Sequence, residues 1–188
     1  PELFNDSIEA NVLMGDQADA AYFLQKVCLD EEVNEMDDGL NTLVGNGGIR
    51  LSGGQAQRLA LARTLCHKKP VLILDDPFSA LDKNTEKQIF VNLREMTRDT
   101  VVLLISHRLY LFPLMDQILW MEDGRIISGS HEELLEKVPE YKVLFEAQTE
   151  DRNRSDAGAH TDGKGHSDKN ACEIEQAIQK AGADNDTK

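Results

Sequence analysis

The chain has 188 residues, 34 Asp and Glu against 20 Lys and Arg, and a formal net charge of −14. That length suits one sizeable core and about one domain, and the acidic balance argues against a nucleic-acid-binding or anionic-membrane surface. Three scattered cysteines (Cys28, Cys66 and Cys172) suit a reduced, intracellular compartment and no zinc site, and with no apolar run of about eighteen residues, neither a membrane-spanning helix nor a signal peptide is expected within the chain.

Residues 1–50 hold eleven acidic and two basic side chains and read as a solvated acidic helical lobe. Ser7 is placed to cap a helix running through Val12. Ala20, Phe23, Leu24 and Val27 recur at helical spacing. Asp37-Asp38-Gly39 and Gly45-Asn46-Gly47-Gly48 are turn chemistry. Leu51-Ser52-Gly53-Gly54-Gln55 then opens a helix whose buried stripe is Leu59, Ala62 and Leu65. Arg58 and Arg63 sit near its flank. Arg63 reads as a helix-surface arginine, with support of a phosphate site as the rival role.

Residues 71–74 are four apolar residues in a row after Pro70, which predicts a strand buried on both faces, as in a parallel sheet. Asp75 and Asp76 stand at its end. A loop through Pro77, Phe78, Ser79, Ala80 and Leu81 reaches Asp82, and a helix beginning near Lys83 buries Ile89, Leu93 and Met96. Residues 101–105 form the next core strand, followed by Ser106 and His107. Asp123-Gly124 between two apolar runs predicts a hairpin. Leu134, Leu135, Tyr141, Leu144 and Phe145 belong to closing helices, with His131 capping or packing rather than ligating metal. From 149 onward aromatics vanish and a disordered tail is expected, with a short marginal helix over 172–181. His160 and His166 are too isolated for a metal site.

Two stretches carry chemistry. Ser52 can cap the helix behind it, and Gly53 and Gly54 have no Cβ to block an anion. The first N–H groups of that helix lack intrahelical acceptors and the helix dipole adds positive character, so the segment is a phosphate site in search of a second wall. The second stretch is the pair Asp75 and Asp76. Ligands of open α/β sheets sit at the carboxyl ends of the strands, so a phosphate and Mg²⁺ would be met there.

LSGGQ at 51–55, LILDD at 72–76, SALD at 79–82 and ISHRL at 105–109, in this order and spacing, resemble the signature, Walker B, D-loop and switch histidine of ABC ATPases. The resemblance runs from about residue 1 to 148. The Thr42–Gly48 loop and the GSHEELL stretch at 129–135 are similar to the exporter branch. It implies an α/β fold, a partial P-loop NTPase (ABC ATPase) domain. The expected layout is a helical subdomain with the signature at 1–62, the C-terminal part of a mostly parallel α/β core at 63–148, and the tail at 149–188. No G-x-x-x-x-G-K-[ST] loop occurs, and Gly163-Lys164-Gly165 lacks the glycine spacing and the preceding strand. The resemblance therefore implies that the phosphate loop, the adenine-stacking aromatic and the glutamine-bearing loop lie upstream of Pro1, and that this piece alone binds ATP weakly or not at all.

By the same resemblance, Ser52, Gly53, Gly54 and Gln55 contact the γ-phosphate of a nucleotide held by a second nucleotide-binding domain. Asp75 holds Mg²⁺ through water, Asp82 is the D-loop acid at the domain interface or simply the cap of the helix beginning near Lys83, and His107 is the switch histidine. The position after Asp75 is usually glutamate, which orients or deprotonates the attacking water; here it is Asp76, about 1 Å short. An intact signature beside an altered base position suggests one half of a heterodimer. The implied protein is an exporter-type transporter on the cytoplasmic face of the inner membrane, met by transmembrane domains through the helical subdomain and fuelled by ATP and Mg²⁺. A catalytically weak regulatory half and a soluble, non-transport ABC ATPase are the alternative readings.

Overall fold

The computed structural model describes residues 2–158, which pack as two compact units meeting in sequence at Ile105 and Ser106. The predicted helix over 172–181, and His160 and His166, lie outside the described residues.

The first unit begins with α1 (Ile8–Leu13), α2 (Ala20–Lys26) and α3 (Asp30–Asn34). Ser7 caps α1 by accepting from the Ala10 N–H, and Asp19 does the same for α2 at Ala21. Their apolar sides, Ile8, Val12, Leu24, Val27 and Val33, are buried together with Leu59, Ala62 and Leu65 of α4 (Gly53–Cys66). Each of these side chains is no more than 2% exposed, so the α4 stripe read from spacing is the seam on which α1 and α2 rest.

Arg63 leaves that seam sideways. Its guanidinium donates to the Asn11 carbonyl at 2.7 Å, the Asn11 side chain at 2.6 Å and the Glu2 carbonyl at 3.1 Å, and lies 4.7 Å over the Phe4 ring. The surface arginine expected from the sequence is instead half-buried, and it pins residues 2–11 to α4. Burial lowers its pKa.

β1 (Val71–Asp75) and β2 (Val101–Ile105) pair in parallel, Val71 opposite Val101 and Asp75 opposite Ile105, with α5 (Lys83–Met96) as the crossover. The expectation that β1 is buried on both faces does not hold among the described residues. Leu72 and Leu74 are 5% and 6% exposed, while Val71 and Ile73 are 58% and 62% exposed. Successive side chains of a strand point to opposite faces, and only one face of this pair is covered.

The second unit contains a 3-10 turn (Leu109–Leu114), the antiparallel hairpin of β3 (Ile118–Glu122) and β4 (Arg125–Gly129), then α6 (His131–Lys137) and α7 (Pro139–Gly158). Asp123 and Gly124 both take positive φ, 46° and 73°, as the two-residue turn of a twisted hairpin requires. Helix α6 is opened by a reciprocal cap between Ser130 and Glu133. Residues 149–158, expected to open a disordered tail, are helical instead, because α7 continues to Gly158; the rest of that stretch lies outside the described residues. An existing helix extends at the cost of one residue per added bond, whereas starting one costs several.

Leu109, Ile118, Leu134, Val138 and Tyr141 form this unit's core, flanked by Phe112, Trp120 and Phe145. His131 packs into it, with Nδ1 2.6 Å from the Tyr141 hydroxyl and its ring 4.5 Å from that of Phe145. Burial depresses the His131 pKa, against the pull of Glu132, and pushes Tyr141 up to about 12. A histidine with a depressed folded pKa binds fewer protons than its unfolded counterpart, so stability rises with pH through the imidazole range. Thermal melts should therefore fall in Tm as pH drops below the unfolded imidazole pKa of about 6.5. His131→Gln should flatten that dependence, and Tyr141→Phe should cost about 1–3 kcal/mol by leaving Nδ1 without its partner.

Candidate nucleotide-interaction site

The first unit brings the two chemical stretches together. Ser52 accepts from the Gln55 N–H at 3.2 Å and its own N–H donates to Gln55 Oε1 at 2.8 Å, a reciprocal cap that fixes the start of α4. The N–H groups of Gly53 and Gly54, in the first turn, have no intrahelical acceptor. Gly53 is exposed, with only the Ala80 methyl near a built Cβ, at 3.9 Å. Gly54 differs: a Cβ there would lie 2.8 Å from the Ala80 carbonyl oxygen. One glycine keeps the helix tip open and the other lets the 76–82 loop approach the helix backbone.

Gln55 is committed at both ends of its amide. Besides the cap, its Nε2 donates to Glu32 at 2.7 Å. Glu32 is also paired with Arg58 at 2.7 Å. Arg58, 9% exposed rather than on a flank, donates onward to the carbonyls of Gly54 and Cys28. Cys28 has a left-handed backbone, φ 53°, and a thiol whose pKa is raised chiefly by burial. The acidic lobe thus supplies one specific carboxylate to the signature segment.

On the facing loop, Asp75 ends β1 with an exposed carboxylate. Asp76 follows in a left-handed conformation, φ 43°, which Asp tolerates better than most side chains. Its N–H donates to the Ile105 carbonyl at 2.8 Å. Phe78 is fully buried edge-on to Phe90 and anchors the loop to α5. Asp82 caps α5 through Oδ1, accepting from the N–H groups of Asn84 at 3.0 Å and Thr85 at 3.1 Å. Hydrogen bonds from Thr85, side chain first, hold its carboxyl below the usual range against partial burial.

Two glutamines that the sequence reading passed over hold these turns. Gln57 Nε2 donates to the Asp76 carbonyl at 2.9 Å and to Ser79 Oγ at 3.1 Å, and its Oε1 accepts from the Ala80 N–H at 3.1 Å. In the second unit, Gln148 donates to the His107 carbonyl at 2.8 Å and accepts from the Leu109 N–H at 3.1 Å. His107 is exposed there. Neither glutamine stands in a motif that names its partner, so only the fold reveals these contacts.

Among the described residues no cluster of three or more His, Cys, Asp or Glu side chains is arranged to hold a metal ion. Mg²⁺ is usually held by one or two carboxylates together with phosphate oxygens, so a single strand-end carboxylate such as Asp75 fits that mode.

A capped Gly-Gly helix tip beside a strand-end acid pair, on a parallel β-α-β unit, is the layout expected of the signature part of an ABC nucleotide-binding domain, and the chain is similar to exporter-type members of that family. Residues 3–79 match the family model described as ABC transporter. The ATP-dependent lipid A-core flippase of Burkholderia pseudomallei is 45% identical over 152 residues, covering 78% of this chain and 25% of the flippase. That of Vibrio parahaemolyticus is 40% identical over 152 residues, covering 78% and 26%. A solved bacterial Atm1-family ABC exporter with ATP bound superposes with a TM-score of 0.72 at 33% identity, over 78% of this chain and 27% of its own. The chain spans about a quarter of the length of the curated relatives it matches.

The two glycines predict opposite outcomes. Gly54→Ala should destabilise the protein by about 1–3 kcal/mol, since a methyl against a backbone carbonyl forces the loop away. Gly53→Ala should be neutral or stabilise by about 0.5–1 kcal/mol, as expected for Gly replaced by Ala within a helix. Urea unfolding of both variants beside the parent checks this.

Proposed function

We propose that this chain is the signature-bearing part of the ATPase domain of an exporter-type ABC transporter, working with a second nucleotide-binding domain. The observation that carries the proposal is the contact of the open α4 tip with the loop that holds Asp75, Asp76 and Asp82. Ser52 and the first-turn N–H groups of Gly53 and Gly54 face outward, toward a γ-phosphate presented by the second domain. Gln55 stabilises that tip from within and is released from Glu32 if it contacts phosphate itself. Bound Mg²⁺ would neutralise charge on the phosphates during transfer. Asp75 would hold it through water, and Asp76 orients the attacking water. Asp82 sits at the domain interface, and His107 holds the switch position. The helical lobe meets transmembrane domains at the cytoplasmic face of the membrane; no helix among the described residues is itself long and apolar enough to cross one.

The short acid at 76 favours a heterodimer in which this signature completes the partner's competent site, while the site on this chain's own Asp75 and Asp76 turns over slowly. Misplacing a reacting group by about 1 Å can cost on the order of a hundredfold. Asp76→Glu in the intact heterodimer should therefore raise single-turnover hydrolysis at this chain's own site about tenfold or more. No gain would show that acid length does not limit the rate, and would favour a regulatory site that binds ATP without useful turnover.

A further inference from the structure

We infer that Gln57 is a positioning residue for Asp76, fixing the direction of its carboxylate by holding its backbone. The inference rests on the reading of Asp76 as the group that orients water. Asp76 has a left-handed backbone, φ 43°, at the end of a parallel strand. An unusual conformation persists when neighbouring contacts over-determine it. Both backbone polar groups of Asp76 are tied: the N–H donates to Ile105 on β2, and the carbonyl accepts from Gln57 Nε2 at 2.9 Å. The same amide group donates to Ser79 Oγ at 3.1 Å, and its oxygen accepts from the Ala80 N–H at 3.1 Å.

Gln57 thus spans the turn at three points, and its own backbone is set in α4, five residues after Ser52. Gly54 makes the clamp possible, because a Cβ there would meet the Ala80 carbonyl oxygen at 2.8 Å and push the turn out of the amide's reach. Any side chain unable both to donate and to accept at this place frees part of the turn. Gln57→Glu keeps the shape and the acceptor for Ala80, but sets a carboxylate against the Asp76 carbonyl. Gln57→Met keeps length and removes every hydrogen bond.

The test uses the intact transporter with the second nucleotide site silenced. Two quantities are read: single-turnover ATP hydrolysis, and amide exchange over 76–82 by mass spectrometry. In Gln57→Met and Gln57→Glu, exchange over 76–82 should quicken while that of 58–66 within α4 stays unchanged, since local opening is read segment by segment. The hydrolysis rate should fall about tenfold with KM for ATP within about twofold, the pattern of a misplaced group rather than a lost binding contact. Adding Gln57→Met to Asp76→Ala should cause no further loss, because a residue acting through another is silent once that residue is gone. Unchanged exchange over 76–82, or a full additional loss on the Asp76→Ala background, overturns the inference while leaving the role of Asp76 intact. An unaltered rate in Asp76→Ala alone takes down the reading of Asp76, and any role of Gln57 in turnover with it.

Discussion

The approach of the α4 tip to the 76–82 loop is the constraint on which the first unit depends. A helix N-terminus offers a few N–H groups and a partial charge, and neither makes a selective site alone. Here it is closed on itself by the Ser52–Gln55 cap and set against a loop whose carbonyl at Ala80 leaves no room for a side chain at residue 54. Gln57 converts that proximity into three hydrogen bonds. The α4 tip and the loop that follows the acid pair are consequently in direct contact.

The acidic lobe serves this joint from behind. Its surface carboxylates are mostly solvated, but Glu32 bridges Gln55 and Arg58, and Arg58 reaches the carbonyls of Gly54 and of the left-handed Cys28. Arg63, one turn farther along α4, ties the opening residues of the chain to the same helix through Asn11. Two arginines on one helix thus hold two separate segments of the lobe. Each works mainly on backbone carbonyls, whose geometry a planar, fixed fork of donors suits well.

The β1–β2 pair shows where pattern reading misleads. Four apolar residues in a row were expected to be buried on both faces, yet Val71, Ile73 and Val101 are more than half exposed among the described residues. An apolar run records the affinities of a strand for cover on each face; it does not contain the cover. The second unit followed its pattern more closely, because a hairpin and the two helices after it bury their apolar residues on one another within forty residues or so of chain. His131 packs among aromatics, its Nδ1 set against the Tyr141 hydroxyl.

Sequence alone determined the elements whose causes are local. Ser7, Ser52 and Asp82 act on N–H groups two or three residues away, Asp123 and Gly124 supply the positive φ of their own turn, and the stripe Leu59, Ala62 and Leu65 states its own face by spacing. The motif order likewise pointed to the family that the relatives represent. Tertiary structure alone decided which of the two glycines is spared for space and which for packing, that Arg63 is half-buried against Asn11, and that Gln57 holds the turn of Asp76 nineteen residues away. These contacts join residues far apart in the chain, and no periodicity or local propensity encodes which polar side chain will meet which carbonyl once the core has closed.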